Sequence, residues 1–168
     1  MVKAKSVAKY FLSLDPERIY FNKNLIEREG NKFYEGNARL NKLMHLSQNI
    51  FIAMKEMILI DDDFYAYNNG AVIPSIQENY AKLLNEQNHS NDLSDETKIF
   101  LKKIFDIFVE APIEELIEID HEDPEWLDKH KNYYKNEQKM DALAHIEDYK
   151  TRYKDIITLL NRMETMIA

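Results

Sequence analysis

The sequence predicts a mostly α-helical single domain, residues 1–168, irregular in build, organised around one central buried helix and carrying a small β-hairpin element. Three observations carry that expectation. Only three glycines and four prolines occur in 168 residues, and short alternating segments are few. At about 100° per residue, the stretch Ala38–Ile60 gathers Leu40, Leu43, Met44, Leu46, Ile50, Phe51, Met54, Met57 and Ile58 on one arc. That arc is wider than a single surface stripe, so several neighbours should pack on it. Asn41, Lys42, His45, Gln48, Asn49, Lys55 and Glu56 share the other side, and Asn37 is the expected N-cap because its amide oxygen can accept from the first turn. Finally, two short apolar runs (Ile58–Ile60 and Phe64–Tyr67) flank a polar turn, and Asn69-Gly70 suits a turn needing positive φ.

The remaining elements follow in order. Ala4, Val7, Ala8 and Phe11 repeat at helical spacing from about Val2 to Ser13, and Asp15-Pro16 stops the helix. Glu17–Asn37 mixes apolar pairs with Gly30-Asn31 and Gly36-Asn37, which reads as a turn or β-like excursion over the surface. Pro74 opens a helix with Ile76, Tyr80, Leu83 and Leu84 inward. A polar connection, Asn85–Asp92, leads to a helix capped by Ser94. Pro112 restarts the chain with Ile113, Leu116, Ile117 and Ile119, until Asp120-His121-Glu122 breaks it. Asp123-Pro124 is an N-cap followed by proline, which sets Trp126 and Leu127 in the first turns of another short helix. Asn132–Lys139 reads as a loop, and the last helix should run from Asp141 almost to Ala168.

Composition excludes several functions. Without cysteine there is no disulfide or thiolate chemistry, and a cytoplasmic home is expected. No apolar run is long enough to span a bilayer, and the opening residues lack a signal-peptide pattern. The net charge of −8 is unevenly spread: residues 1–57 carry 10 basic and 6 acidic side chains, 58–128 carry 4 and 18, and 129–168 carry 8 and 6. Nine carboxylates and no Lys or Arg lie between Glu110 and Asp128. Such a surface repels phosphate backbones, which argues against direct nucleic-acid binding, and attracts a basic protein. It also serves as an ordinary solvated face.

Catalytic patterns are weak. Asp61, Asp62 and Asp63 could hold a divalent cation, the basis for an alternative reading as a metal-dependent hydrolase or nuclease. Sequence neighbours point different ways, however, and no glycine-spaced calcium loop follows. His45, His89, His121, His130 and His145 form no His-Glu-x-x-His. There is no nucleophile elbow and no phosphate-cradling glycine loop. No metal or cofactor is expected. His45 sits one helical turn from Asn41 and Asn49, where a hydrogen-bonded structural role is commoner than catalysis.

Three segments resemble a known family. Ser6–Leu12, joined by Leu40-Asn41-Lys42-Leu43-Met44, is similar to its opening helix and "LxKLLY" helix. Ala66-Tyr67-Asn68-Asn69-Gly70-Ala71-Val72-Ile73-Pro74 is similar to "AWxxGPVxP". Glu115-Leu116 through His121-Glu122-Asp123-Pro124-Glu125-Trp126 is similar to "L…TH…PW". Together they resemble the SocA-like antitoxins, whose shared module is the Panacea domain and which include phage-associated proteins called GepA. The chain departs at Tyr67 (usually Trp), Ala71 (Pro), Gln77 (often Tyr) and the inserted Glu125. The resemblance implies a bacterial or prophage-encoded antitoxin that neutralises a cognate toxin by direct protein binding, a binding module more than an enzyme. In some relatives such a protein is an adaptor handing the toxin to a protease. The contact residues it implies are Asn41, Lys42, His45, Tyr67, Asn69, Gly70, Val72, Pro74, His121, Pro124 and Trp126.

Overall fold

A computed structural model describes residues 1–87, 92–131 and 137–163. Among them lie nine helices and two small antiparallel two-stranded sheets, a mostly α fold with small hairpins.

Helix α1 (Ala4–Ser13) buries Val7, Ala8, Phe11 and Leu12 completely. Asp15 then organises the loop that follows, its carboxylate accepting from the backbone N–H groups of Ile19, Tyr20 and Phe21 at 3.0, 2.9 and 2.8 Å. The surface excursion is a hairpin, β1 (Leu25–Arg28) against β2 (Asn31–Tyr34), turned by positive φ at Glu29 and Gly30.

The central helix α2 spans Glu35–Lys55, starting before and ending earlier than its sequence pattern indicates. Tyr34 occupies the N-cap position, without a side-chain cap. Asn37 lies inside the first turn, donating its amide to the Gln77 carbonyl at 3.0 Å. At the other end Glu56 turns left-handed (φ 55°) and the chain folds back along the helix. Gln48, midway along α2, explains the reversal: its side-chain oxygen accepts from the N–H groups of Leu59 and Ile60 at 3.0 and 2.9 Å. Val2 pairs with the returning chain, donating to Leu59 O at 2.8 Å. Ile58–Ile60 is therefore committed elsewhere, and the second hairpin is β3 (Tyr65–Tyr67) with β4 (Gly70–Val72).

Beyond it come α3 (Pro74–Glu78) and α4 (Tyr80–Asn85), separated at Asn79. Ser94 caps α5 (Asp95–Phe108), its hydroxyl accepting from Thr97 N at 3.1 Å. Helix α6 (Ile113–His121) follows, and Asp123 caps α7 (Pro124–His130) by accepting from Glu125 N at 3.1 Å. The long final helix is instead two short ones, α8 (Ile146–Arg152) and α9 (Lys154–Arg162), parted at Tyr153. It starts late because Asp141 is engaged in a turn: its N–H donates to the buried Glu125 carboxylate, and its own carboxylate accepts from Leu143 N. Residues 88–91 of the polar connection, 132–136 of the following loop and 164–168 at the end of the last helix lie outside the described residues.

Helix α2 packs against α1 and α5 on one side and against β4, α6 and α8 on the other. Every residue from Arg39 to Ile50 is buried. From Asn41 to Asn49 the polar stripe is thus as deep in the molecule as the apolar arc, while Lys55 and Glu56 at its end are exposed.

Candidate functional site

Burying a polar stripe demands partners, because an unpaired charge in a low-dielectric interior costs several kcal/mol, about 3–5 when one member of a pair is deleted. On α2 those partners come from one short stretch of the acidic block. Ile113, Leu116, Ile117 and Asp120 share one face of α6, so the spacing that buries three apolar residues buries a carboxylate with them. Asp120 meets His45 Nδ1 at 2.7 Å and Lys42 Nζ at 3.2 Å. Asp123, the cap of α7, lies 3.2 Å from His45 Nε2 and accepts from the Tyr149 hydroxyl at 2.8 Å. Two cations and two anions therefore sit together, each 3% exposed or less.

Their protonation follows from that pairing. Burial disfavours charge on His45, but Asp120 and then Asp123 outweigh it and raise its pKa to about 9. Burial likewise opposes ionisation of Asp120 and Asp123, and the facing cations overcome it, holding both below the ordinary carboxylate range. Lys42 moves the other way, lowered by burial, with Asp120 offsetting part of the effect. Burial first, and Asp123 second, push the Tyr149 hydroxyl up, so it stays a donor.

The network grips the second hairpin by its backbone. Ala71 N–H donates to Asp120 at 2.8 Å, and the Ala71 carbonyl accepts from Lys42 at 3.1 Å. Two side chains here stand in for a neighbouring strand. Asn41 adds a third grip, accepting from Ile73 N at 3.2 Å. The approach is close enough to require glycine next door: a Cβ on Gly70 would lie 2.5 Å from Asp120 Oδ2 and 2.6 Å from Lys42 Cε, at a φ of +116°. On the opposite edge Ala66 N–H donates to Gln138 O, and Met140 N–H to Phe64 O, both at 2.9 Å.

The turn of this hairpin is held by three ring N–H groups. Trp126 Nε1 donates to Tyr67 O at 2.9 Å, His121 Nε2 to Asn68 O at 3.0 Å, and His130 Nε2 to Asn68 Oδ1 at 3.0 Å. Both imidazoles stack on the indole, with ring centres 4.4 and 4.2 Å apart. The tip this builds, Tyr67 to Asn69, meets the end of α6 at His121, and Arg28 bridges Asn69 to Glu114 of that helix, which also exposes Glu115 and Glu118.

The family model Antitoxin SocA-like, Panacea domain, matches residues 40–127. The chain belongs to this family. No curated protein and no solved structure matches it.

The Panacea match runs from within α2 to within α7, so it contains Lys42, His45, Ala71, Asp120, Asp123 and Trp126, the heart of the network and its grip on the hairpin. The residues the resemblance singles out are brought together, but at different depths. Asn41, Lys42, His45, Gly70 and Val72 are buried, Trp126 is 5% exposed, and Tyr67, Asn69, Pro74, His121 and Pro124 reach the surface in part. In this conformation the buried members shape the surface without forming it.

Sequence reasoning gives Asp123 the N-cap of α7, which the structure bears out, but places none of Asp120, Asp123, Glu125 or Tyr149 in a buried network. The first three were counted with a solvated acidic run, yet each is buried. The extra Glu125 pairs with His145 at 3.2 Å and holds Asp141, fastening the Panacea core to the chain beyond it. Asp61, Asp62 and Asp63 are exposed, and Asp63 pairs with Lys139 at 3.4 Å. Among the described residues no group of three His, Asp or Glu side chains is placed to hold a metal. Beside His45 and Tyr149 lies a cavity of about 80 Å³, room for a few waters. No described helix is long and apolar enough to cross a membrane.

Proposed function

We propose that this Panacea protein is an antitoxin that binds a toxin protein and neutralises it by occupying its surface. The observation that carries the reading is the coincidence between the family match and the geometry. Residues 40–127, those shared with antitoxin-like proteins, hold the β3–β4 turn by hydrogen bonds from Trp126 and His121, at the end of an acidic helix. The buried charges balance one another and act by presenting that surface. Preorganisation of this kind lowers the entropy cost of association. The exposed carboxylates of α6 favour a basic partner and speed its approach.

The test is co-expression of this chain with each adjacent open reading frame. Relief of growth arrest caused by one of them is expected. Failure to relieve arrest by any neighbouring frame that is toxic on its own would end the proposal. With a toxin in hand, its association rate with this chain should fall steeply as salt rises, because exposed charges farther apart than about 10 Å are screened at 0.1 M salt. A rate indifferent to salt would remove the acidic helix from the interface. Adaptor-mediated degradation differs in outcome: toxin levels would drop only in cells that retain the protease.

A further inference from the structure

Between the two hairpins runs a groove of about 350 Å³ that the buried network leaves unexplained. One wall is β2, the other is the turn of the β3–β4 hairpin. Its lining is rich in carboxamides, with Asn31, Asn68, Asn69, Gln77 and Gln138 converging beside two aromatic rings, Phe33 and Tyr67. His130 takes the Asn68 oxygen and Arg28 the Asn69 oxygen, while the side chains of Asn31, Gln77 and Gln138 make no hydrogen bond to any described residue. A carboxamide offers one acceptor and an N–H donor, the same pair that a peptide unit offers. The lining suits main chain better than an ion or a purely apolar ligand.

Strand β2 supplies the second half of the match. The two-residue turn at Glu29 and Gly30 sets Arg28 opposite Asn31, so hydrogen-bonded pairs fall at Arg28–Asn31 and Ile26–Phe33. The backbone N–H and C=O of Lys32 consequently point away from β1, and no other described backbone group bonds to them. Lys32 lines the groove. An open strand edge beside a carboxamide-lined wall is the arrangement that accepts an added strand.

We propose that the groove takes an extended segment of a partner protein, laid beside β2, with basic residues at the end nearest α6. This rests on the binding reading above and names the part of the partner that is held. Charge selects the occupant: Glu115 and Glu118 are exposed on α6 and pair with no described cation, whereas Glu114 pairs with Arg28 and Glu122, just past the helix, with Arg152. Helix α6 joins the groove through the bond from His121 to Asn68. A second copy of this chain is disfavoured, since antiparallel pairing of two β2 strands about Lys32 sets like charges opposite each other.

The test uses the full-length chain and a displayed library of random peptides carrying a fixed Lys-Arg-Lys end. Lys32→Pro removes the outward N–H, at an edge position where proline is tolerated. Lys32→Ala keeps it, and the double variant Gln77→Ala, Gln138→Ala removes two of the carboxamides that line the groove and bond to no described residue. Peptides enriched on the wild type should lose at least about tenfold in affinity on Lys32→Pro and on the double variant, and change by less than about twofold on Lys32→Ala. No enrichment, or enriched peptides that bind both variants as tightly as the wild type, overturns the proposal. The selection contains no toxin, so its failure is separable from failure of growth rescue.

Discussion

The two hairpins of this protein are nearly the same length and sit side by side, yet one belongs to the core and the other to the surface. In β3–β4 both edges are occupied: on one side Ala66 donates to Gln138 and Met140 donates to Phe64, and Asp120 and Lys42 hold Ala71 on the other. In β1–β2 the strand residues are exposed or half-buried, Leu25 is 67% exposed, and Lys32 leaves its backbone groups open. The difference lies less in the strands than in what faces their edges. A two-stranded hairpin is marginal alone. Side chains projecting from buried helices fix the second one as firmly as a third strand would.

The sharpest way to break the comparison is to remove the group on which the buried grip turns. Asp120→Ala leaves Lys42 and His45 without their shared anion and frees Ala71 N–H. A loss of about 3–5 kcal/mol in urea unfolding is expected, the range for deleting one member of a buried ion pair. Near-wild-type stability would mean that the hairpin holds without the network.

Next in size is the pH dependence of that same grip. His45 has a folded pKa of about 9 against an ordinary 6.5, so its stabilisation is complete below pH 6.5 and drains away as pH rises through 9. The full shift corresponds to something on the order of 3 kcal/mol. Asp120 and Asp123 have lowered values, so their contribution is present above the usual 3.8 and is lost as acid titrates them. Lys42, lowered by burial, works against the alkaline loss. The His45 share is therefore read as the difference between wild type and His45→Gln in urea unfolding across pH 6 to 10. A difference that does not change over that range would contradict the charged pairing.

Glycine substitutions compare the two turns directly. At Gly70 an added methyl meets Asp120 and Lys42 at a φ of +116°, and roughly 3 kcal/mol should be lost from strain and overpacking. Gly30 also has positive φ, at +83°, but nothing lies within 4 Å of its would-be Cβ, so Gly30→Ala should cost only about 1 kcal/mol. Equal costs measured by thermal unfolding would show that backbone conformation alone decides both.

How much of this was written plainly in the sequence divides along the same line. Helical spacing located α1, α5 and α6, and the Ser94 and Asp123 caps were legible because capping is a local bond between near neighbours. The reversal after Glu56 was hidden, since it depends on Gln48 reaching residues 11 and 12 positions away. So did the site elude a local reading: an acidic run looks solvated until Lys42 and His45 are known to face it. One signal was available. Asp120 continues the Ile113, Leu116, Ile117 spacing, which placed a carboxylate on a buried face with no neighbour in sequence to neutralise it. The single final helix failed for a related reason, because Glu125, distant in sequence, holds Asp141 in a turn.

The smallest effect sharpens the comparison from the exposed side. Arg28, at the tip of β1, reaches across to Glu114 at 3.3 Å and to Asn69 Oδ1 at 3.4 Å, the one side chain seen bonding the first hairpin to the turn of the second. Glu114 is 66% exposed, so solvent screens the pair, and Arg28→Ala should cost less than about 1 kcal/mol in global stability. Its consequence should be local. Amide exchange ought to quicken in β1 and β2, whose internal ladder loses its anchor, and stay unchanged at Ala66 and Ala71, whose partners belong to the core. Faster exchange at Ala71 in that variant would mean that the two hairpins open together, and that the division between a wired hairpin and a free one is not real.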